Sequence, residues 1–267
     1  EEHGYEWGTP WHWDAITSTA GVTVTVWDTN ADDRLKVTLD LFLPADRAAL
    51  RITPHLENPT GAAIDYKFWS NAALAPGATN KPTEGLEFLF NAKEMSIHST
   101  GDNRLPGASP IVPDGPNYRI SWPVYNQVDF SRLGNWHEWA GFFEYPQAAE
   151  NFVGVYDHNQ NAGVMRIFPR HVARGVKGFG YGWENAIPWS LWSDEDSGGV
   201  EVHGGVATTF WDTARLEAGT VLSWTETWYP IRNIDGVSDA TEEAVLYVFE
   251  QQGKVQVDVH TILSLSL

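Results

Sequence analysis

The sequence has 267 residues and a formal net charge of −18, from 35 acidic and 17 basic residues, with no cysteine. This charge disfavours nucleic-acid and anionic-membrane partners, and the lack of cysteine excludes disulfides and thiolate metal sites. No apolar run of about 18 residues occurs, so no membrane-spanning segment is predicted. The sequence does not determine the cellular compartment, although a secreted or periplasmic location is slightly favoured over the cytoplasm.

Alternating strand patterns begin early in the chain. Residues 21–27 alternate valine with threonine, and residues 35–43 alternate leucine or valine with other side chains, so each predicts a strand with one buried face. Residues 30–33 supply the turn between them. Further strands are predicted near residues 48–57, 63–70, 86–90, 118–124, 139–145, 152–157, 163–168, 199–210 and 220–229. This spacing is typical of an all-β sandwich or barrel.

Two long loops are predicted between these strands. Residues 99–117 are rich in Gly, Pro, Asp and Asn, and residues 170–198 combine four glycines with Trp183, Trp189 and Trp192. Long loops in compact domains are usually functional or disordered. Three tryptophans argue against disorder in the second loop, because they are costly to leave in water.

One helix is predicted near the end of the chain. Residues 239–242 resemble a capping box, apolar residues follow at 244–249, and Gly253 ends the helix. Valines at 255, 257 and 259 then predict a strand. We therefore expect one domain over residues 1–235, and a helix plus strand over residues 236–267 that connects to a following segment.

The sequence lacks the motifs of several common classes of enzyme and metal site. There is no phosphate-binding loop, no Gly-x-Ser-x-Gly elbow and no His-Glu-x-x-His. Asp28, Asn30 and Asp32 imitate the start of a calcium loop, but Asp33 and Leu39 stand where such a loop needs Gly and Glu. No cofactor and no metal site is predicted.

Aromatic residues are the strongest compositional signal, with 14 Trp, 12 Phe and 9 Tyr. Pyranose rings present flat C–H faces that stack on indole, while their hydroxyls need polar partners. Four segments place such partners among aromatics and glycines: residues 2–7 with Trp11 and Trp13, residues 68–71, residues 135–139 and residues 199–205. The sequence therefore predicts a carbohydrate ligand.

Glu201 and His203 are the most informative pair. They lie two residues apart on a predicted strand, so both side chains point to one face of the sheet. A partly buried carboxylate has a raised pKa unless it is paired, which suits a general acid or base. The alternative is a structural ion pair with an arginine such as Arg166 or Arg170.

These segments resemble a bacterial family of unknown function with a galactose-mutarotase-like fold, often found ahead of tetratricopeptide repeats. The matching stretches run in the family's order over most of the chain: Glu57-Asn-Pro-Thr, Phe68-Trp-Ser-Asn-Ala-Ala, Gly154-Val-Tyr-Asp-His, Ala162-Gly-Val, residues 179–183, Gly199-Val-Glu-Val-His-Gly-Gly, Leu216-Glu-Ala-Gly, Thr225-Glu-Thr-Trp-Tyr-Pro-Ile and Ala240-Thr. The resemblance implies a β-supersandwich of large antiparallel sheets. Members usually carry more sequence before the Glu-His-Gly segment, so we expect that this chain lacks, or holds elsewhere, the first strands.

The resemblance also implies roles for particular residues. Aldose mutarotases use two histidines and a late glutamate, with an acid group serving the ring oxygen and the glutamate taking the anomeric proton. His3 resembles the first histidine, and Glu201 resembles the base. Asn71 stands in the segment of the second histidine, and an amide cannot donate a proton as an acid does. Substitutes for that acid are left open among His98, His137, His158 and His203.

Three functions follow, in order of preference. The first is glycoside cleavage with Glu201 as acid/base in a Trp-lined cleft, its second carboxylate coming from Glu2, Glu6, Asp129, Glu138 or Glu184. The second is a non-catalytic carbohydrate-binding module of a larger glycan-processing protein. The third is an aldose mutarotase or epimerase that uses His3 and Glu201. The predicted catalytic residues are Glu201, His3 and His203, and the predicted substrate-binding residues are Trp7, Trp69, Asn71, His98, Trp136, His137, Glu138, Trp183, Trp189 and Trp192.

Overall fold

The structure is a computed structural model, and it describes residues 10–28, 33–107, 118–191, 193 and 197–263. Its strands are, in chain order, β1 (His12–Ser18), β2 (Gly21–Trp27), β3 (Lys36–Pro44), β4 (Leu50–Glu57), β5 (Ile64–Tyr66), β6 (Trp69–Leu74), β7 (Leu86–Leu89), β8 (Glu94–Thr100), β9 (Arg119–Ser121), β10 (Val124–Tyr125), β11 (Val128–Asp129), β12 (Ala140–Glu144), β13 (Phe152–Asp157), β14 (Ala162–Ile167), β15 (Gly175–Gly180), β16 (Val200–Gly205), β17 (Ala214–Leu216), β18 (Val221–Ser223), β19 (Glu226–Arg232), β20 (Asp239–Ala240), β21 (Ala244–Gln251) and β22 (Lys254–Thr261). Two single-turn 3₁₀ helices cover Leu133–Asn135 and Trp189–Leu191.

Two large antiparallel sheets form the body of the molecule, which confirms the predicted all-β fold. The larger sheet has nine strands in the order β1-β2-β3-β4-β19-β14-β13-β7, with β18 also paired to β4. The smaller sheet has six strands in the order β6-β16-β15-β12-β8-β9. In the part of the chain that the structure describes, no helix has the length and apolar character needed to cross a membrane.

The main core lies between these two sheets. Ile97, Phe142 and Val202 of the smaller sheet belong to the same buried cluster as Phe88 and Val155 of the larger sheet. Because side chains alternate along a strand, the residue after each core residue of the smaller sheet points away from the core. His203 and Phe143 are turned outward in this way, and they lie on the face that holds the candidate site.

The loop predicted over residues 170–198 contains a central strand of the smaller sheet. β15 pairs with β12 on one side and with β16 on the other. Its glycines hide the strand pattern because they leave room for aromatic rings: a Cβ on Gly178 would lie 2.7 Å from the Phe142 ring, and one on Gly180 would lie 2.7 Å from Trp136. The loop prediction for residues 175–180 is therefore wrong. The other long loop begins later than predicted, since β8 extends to Thr100.

The predicted C-terminal helix is also wrong, because residues 244–251 form strand β21. Val245 is buried and Leu246 is exposed, which follows the two-residue period of a strand. Gln252 and Gly253 have φ values of 54° and 73°, the backbone of a tight hairpin turn, and β21 pairs with β22 over its full length. The residues of the predicted capping box therefore do not begin a helix, because the chain forms this hairpin instead. A second buried cluster joins Val245 to Met165 and Tyr229 of the larger sheet.

Candidate functional site

Two rows of side chains cross the outer face of the smaller sheet, the face turned away from the main core. In the first row Phe143 pairs with Lys177, Lys177 with His203, and His203 with Asn71. In the second row Gly141 pairs with Phe179, Phe179 with Glu201, and Glu201 with Ala73. Directly paired residues share a face and approach closely. The sheet therefore gathers Lys177, His203 and Glu201, which are far apart in sequence.

Glu201 is held by two hydrogen-bond donors. Tyr181 Oη donates to Glu201 Oε1 at 3.1 Å, and His203 Nε2 lies 2.9 Å from Glu201 Oε2. A carboxylate only accepts hydrogen bonds, so the contact assigns the proton of the neutral imidazole to Nε2. The Glu201 side chain keeps 21% of its surface exposed. The predicted shared face of Glu201 and His203 is confirmed, and the carboxylate remains open to a ligand.

Lys177 is buried beside this pair. Its Nζ lies 3.5 Å from His203 Nε2, and it stands 4.6 Å from the centre of the Phe210 ring and 5.4 Å from that of Phe179. Both distances are within the range of a cation–π contact. Lys177 therefore places its ammonium group between two aromatic rings and next to the Glu201–His203 pair.

A β-bulge brings His98 to the same face. Phe142 pairs with Ile97 and Gly141 pairs with Ser99, so His98 is an extra residue in β8. A bulge redirects a side chain in this manner. The His98 ring packs edge-on against Phe143, Phe210 and Trp211 at centroid distances of 5.3–5.6 Å. The predicted site residue His98 thus lies in the cluster.

Both histidines of the cluster are neutral near pH 7. Burial lowers the pKa of His98 to about 4, with the positive charge of Lys177 and then His203 adding to the effect. Burial likewise lowers the pKa of His203 to about 4. The hydrogen bond that His203 donates to Glu201 opposes this effect, and the positive charge of Lys177 adds to it. A histidine with an ordinary pKa near 6.5 would be partly charged at neutral pH, whereas His98 and His203 are uncharged.

The pKa of Glu201 is lowered, although a raised value was expected for an unpaired carboxylate. Burial alone would raise this pKa, but the hydrogen bond from His203, the charges of His203 and Lys177, and the Tyr181 hydroxyl together outweigh burial. Stabilisation of the charged form has this effect on an acid. Glu201 is therefore a carboxylate at neutral pH.

Aromatic residues border the cluster on one side. The Trp69 ring lies over the backbone of two facing glycines, since a Cβ on Gly175 or Gly205 would come within 2.3 Å of it. Trp69 packs edge-on against Phe210 at 4.8 Å. The exposed Asn71 follows on the same strand and faces His203. The predicted residue Asn71 therefore lies opposite His203, and the predicted residue Trp69 packs on Phe210, the ring that Lys177 also contacts.

A second aromatic group borders Glu201. Phe179 packs against Tyr181 and against Trp139, and Trp189 lies 6.2 Å from Tyr181. The Trp189 ring rests on Gly198, where a Cβ would overlap it at 1.1 Å. The predicted residue Trp189 thus touches the tyrosine that binds Glu201. Glu201 and Lys177 therefore lie between two sets of aromatic rings. One set is Phe179, Tyr181, Trp139 and Trp189, and the other is Trp69 and Phe210.

Several predicted residues lie elsewhere. Trp136 is a core residue, with 1% of its surface exposed, stacked on Phe88 and donating its Nε1–H to Phe130, so its predicted ligand contact is wrong. His158 pairs with Glu87 at 2.8 Å, and His137 pairs with Glu184 at 3.4 Å. Neither histidine is therefore positioned as an acid beside Glu201.

The remaining predicted residues are less informative. Trp183 is exposed, Glu138 packs against Gly101 and Gly182, and Asp129 accepts turn hydrogen bonds from Ser131. His3, Trp7, Trp192, Glu2 and Glu6 lie outside the described residues.

Arg166 does not pair with Glu201, so the structural alternative for Glu201 is wrong. Arg166 is fully buried and binds Glu226 through two hydrogen bonds of 2.7 Å. Its guanidinium lies against Gly204, where a Cβ would come within 1.9 Å. Arg170 is directed to the backbone carbonyl of Ala149. The buried ion pair therefore supports β16 from the core side, beneath His203.

Sequence reasoning missed Lys177 and Tyr181. Residues 175, 177, 179 and 181 alternate with small or apolar residues, which is the pattern of one strand face, but the glycines masked it. The single lysine in this glycine-rich segment was the sequence feature that could have indicated a functional residue. Within the described ranges, no group of three or more His, Asp or Glu residues is arranged to hold a metal ion.

Solved structures share this fold at low sequence identity. A TPR-domain containing protein from Parabacteroides distasonis matches with a TM-score of 0.67 and 20% identity, over 87% of this chain and 36% of that one. A galactose mutarotase-like protein from Clostridium acetobutylicum matches with a TM-score of 0.56 and 10% identity, over 86% and 69%. The fold is galactose mutarotase-like.

A proposed aldose 1-epimerase from Escherichia coli K12 also shares the fold, with a TM-score of 0.59 and 9% identity over 86% of this chain and 72% of that one. The chain thus spans about a third of the Parabacteroides protein and about 70% of the other two. No protein-family model matches the sequence, so membership of the bacterial family remains a prediction.

Proposed function

We propose that the protein binds an aldose on the outer face of the smaller sheet and interconverts its anomers, with Glu201 as the base. One observation is the main support: a part-exposed carboxylate, oriented by Tyr181 and His203, lies beside a buried lysine and between two groups of aromatic rings. Relatives of the fold that are named for galactose mutarotase or aldose 1-epimerase add support at the level of architecture.

The charge state of Glu201 fits this role. Its lowered pKa keeps the carboxylate deprotonated at neutral pH, which is the form that can accept the proton of the anomeric hydroxyl. The two donors fix the plane of the carboxylate, so it does not have to reorient when a sugar binds. The aromatic groups offer flat faces for the C–H surface of a pyranose, and Asn71 offers an amide for its hydroxyls.

Glycoside cleavage ranks below anomer exchange for the same residue. The acid that protonates a leaving group needs a raised pKa, whereas the pKa of Glu201 is lowered. The hydrogen bonds that reach Glu201 come from a tyrosine and a histidine, and no carboxylate is among these two partners. Glu201 is therefore better suited to act as a base on a free sugar.

Anomer exchange is tested by NMR with a panel of freshly dissolved aldoses. We expect the protein to accelerate equilibration of at least one aldose, and Glu201→Gln to lower that rate by about 100-fold or more. Glu242→Gln, at an exposed position, is the matched control and should leave the rate unchanged. Equilibration at the background rate for every aldose would contradict the proposal.

A second candidate is sugar binding without chemistry. It is favoured by the neutrality of His98 and His203, because neither imidazole is a ready proton donor near pH 7. Under this hypothesis, calorimetry would detect sugar binding that survives Glu201→Gln, with no anomer exchange in the unmodified protein. The NMR and calorimetry results together separate the two functions.

A further inference from the structure

We propose that a cavity at one end of the sandwich binds a second ligand, a monosaccharide that carries a carboxylate. The cavity has a volume of about 560 Å³, within the range of about 300–1,000 Å³ that is usual for ligand pockets. Its described lining comes from the turn before β15, from residues 206–213 after β16, and from β5, β17 and β18. That lining does not include Glu201 or His203, so the inference goes beyond the proposed function and does not depend on it.

Apolar side chains of the main core form the floor of this cavity. Tyr66 and Val206 are buried members of that core, and Val172 and Leu222 pack against it. The cavity therefore reaches the core side of the smaller sheet, whereas the candidate sugar site lies on the outer face. Such a floor suits the C–H groups of a pyranose, provided that polar groups are near for its hydroxyls.

The hydroxyl of Tyr66 is one such polar group. Tyr66 is only 7% exposed, yet its hydroxyl makes no hydrogen bond to a described residue and is not sealed from solvent. The hydroxyl is therefore reached from the cavity that Tyr66 lines. Burial raises the pKa of Tyr66, so the group stays protonated and can donate. Because a polar group without a partner is costly in a buried position, a ligand hydroxyl would stabilise it.

Arg174 supplies a positive charge without a counter-ion. Its side chain lines the cavity and is exposed, and it contacts no carboxylate among the described residues. By contrast, Arg104 binds Asp102, and Arg132 binds Glu87. A guanidinium is planar and binds a carboxylate through two parallel N–H bonds. Arg174 therefore favours a ligand with a negatively charged group.

Asp212 limits the charge of that ligand. It lines the same cavity, and its Oδ2 accepts hydrogen bonds from the hydroxyls of Thr208 and Thr209. The second arginine of the lining, Arg215, already lies 3.4 Å from Asp65. One unpaired guanidinium beside one carboxylate favours a monoanion over a phosphate dianion, since like charges repel. A hexuronate has a single carboxylate for Arg174 and several hydroxyls for Asp212 and Tyr66.

Calorimetric titration with glucuronate and galacturonate tests this site. We expect at least one of the two to bind, and glucose and inorganic phosphate to bind at least about 10-fold more weakly, because each lacks half of the recognised groups. Arg174→Gln should weaken hexuronate binding by about 10-fold or more, and Tyr66→Phe by about threefold. Arg232→Gln, at an exposed position outside the cavity lining, is the matched control and should bind as the wild type does.

The opposite results would overturn the inference. It fails if neither hexuronate binds, if Arg174→Gln binds as tightly as the wild type, or if inorganic phosphate binds as tightly as the hexuronate. Glu201→Gln separates the cavity from the candidate sugar site, and we expect this variant to retain hexuronate binding. Loss of binding in Glu201→Gln with full binding in Arg174→Gln would assign the ligand to the outer face instead. Anomer exchange is measured separately, so the proposed function stands or fails independently of this site.

Discussion

Single residues of the site owe their properties to neighbours on other strands. Glu201 and His203 share a face, as their spacing predicted, because side chains two residues apart on a strand point the same way. The sequence did not indicate that Lys177 would join them, since that depends on the pairing of β15 with β16. Cross-strand register is set by the whole sheet, and no local pattern in residues 170–198 encodes it.

A second ionisable residue, Glu144, is buried at the end of β12. Its Oε2 accepts a hydrogen bond from the Ala149 amide at 2.8 Å, and its Oε1 has no hydrogen-bond partner among the described residues. Burial raises the pKa of Glu144 to about 8, against a smaller opposing effect of that hydrogen bond. The folded protein therefore holds this carboxyl in its protonated form at neutral pH.

Glu144→Gln is expected to stabilise the protein at alkaline pH. A carboxyl whose pKa is raised on folding contributes stability below its unfolded pKa of 4.5, and loses it progressively as the pH rises towards 8. The neutral amide does not titrate, so between pH 5 and pH 9 the free energy of unfolding of the variant should rise by about 4 kcal/mol relative to that of the wild type. Urea unfolding at both pH values measures this gain, and a difference independent of pH would contradict the assignment.

At the scale of elements, alternation predicted strands well where one face is buried. Residues 21–27 form β2 as expected, and residues 35–43 largely coincide with β3. The errors occur where side chains fail to show the pattern. β15 is rich in glycine, and β21 has apolar residues on both faces, Val245 buried and Val248 exposed, which imitates the continuous apolar surface of a short helix.

Gly253→Ala is expected to destabilise the β21–β22 hairpin. The φ of Gly253 is +73°, which an alanine adopts at a cost of about 1 kcal/mol. Gly61→Ala is the matched control, because Gly61 has open space around its Cα and no positive φ. Thermal unfolding should show a lower midpoint for the first variant alone. Equal midpoints for the two variants would argue against the hairpin and for the helix that the sequence predicted.

The whole molecule is expected to lose stability in mild acid because of its neutral histidines. A histidine whose pKa falls from 6.5 to about 4 on folding binds a proton more readily when unfolded, so stability declines as the pH drops from about 6.5 to about 4. A shift of this size is worth roughly 3 kcal/mol for each of His98 and His203. Glu144 opposes part of this decline, so the histidine effect is best isolated by comparing variants.

His98→Gln should show a shallower acid dependence than the wild type. The neutral amide removes one titrating group, so the difference in unfolding free energy between the two proteins should change by roughly 3 kcal/mol between pH 4 and pH 6.5. Urea titrations followed by tryptophan fluorescence provide the measurement. His171→Gln, at an exposed position, is the control and should keep the wild-type pH dependence.

The bulge in β8 makes strand length, as well as residue identity, a determinant of the site. Ile97 stays opposite Phe142 and Ser99 stays opposite Gly141 on either side of the extra residue. Deleting His98 would therefore leave both pairs in place, straighten the ladder and remove the imidazole without disturbing the core. In evolutionary terms, one codon gained or lost at this position adds an imidazole to the outer face of the smaller sheet, or removes one, while the pairing on either side is kept.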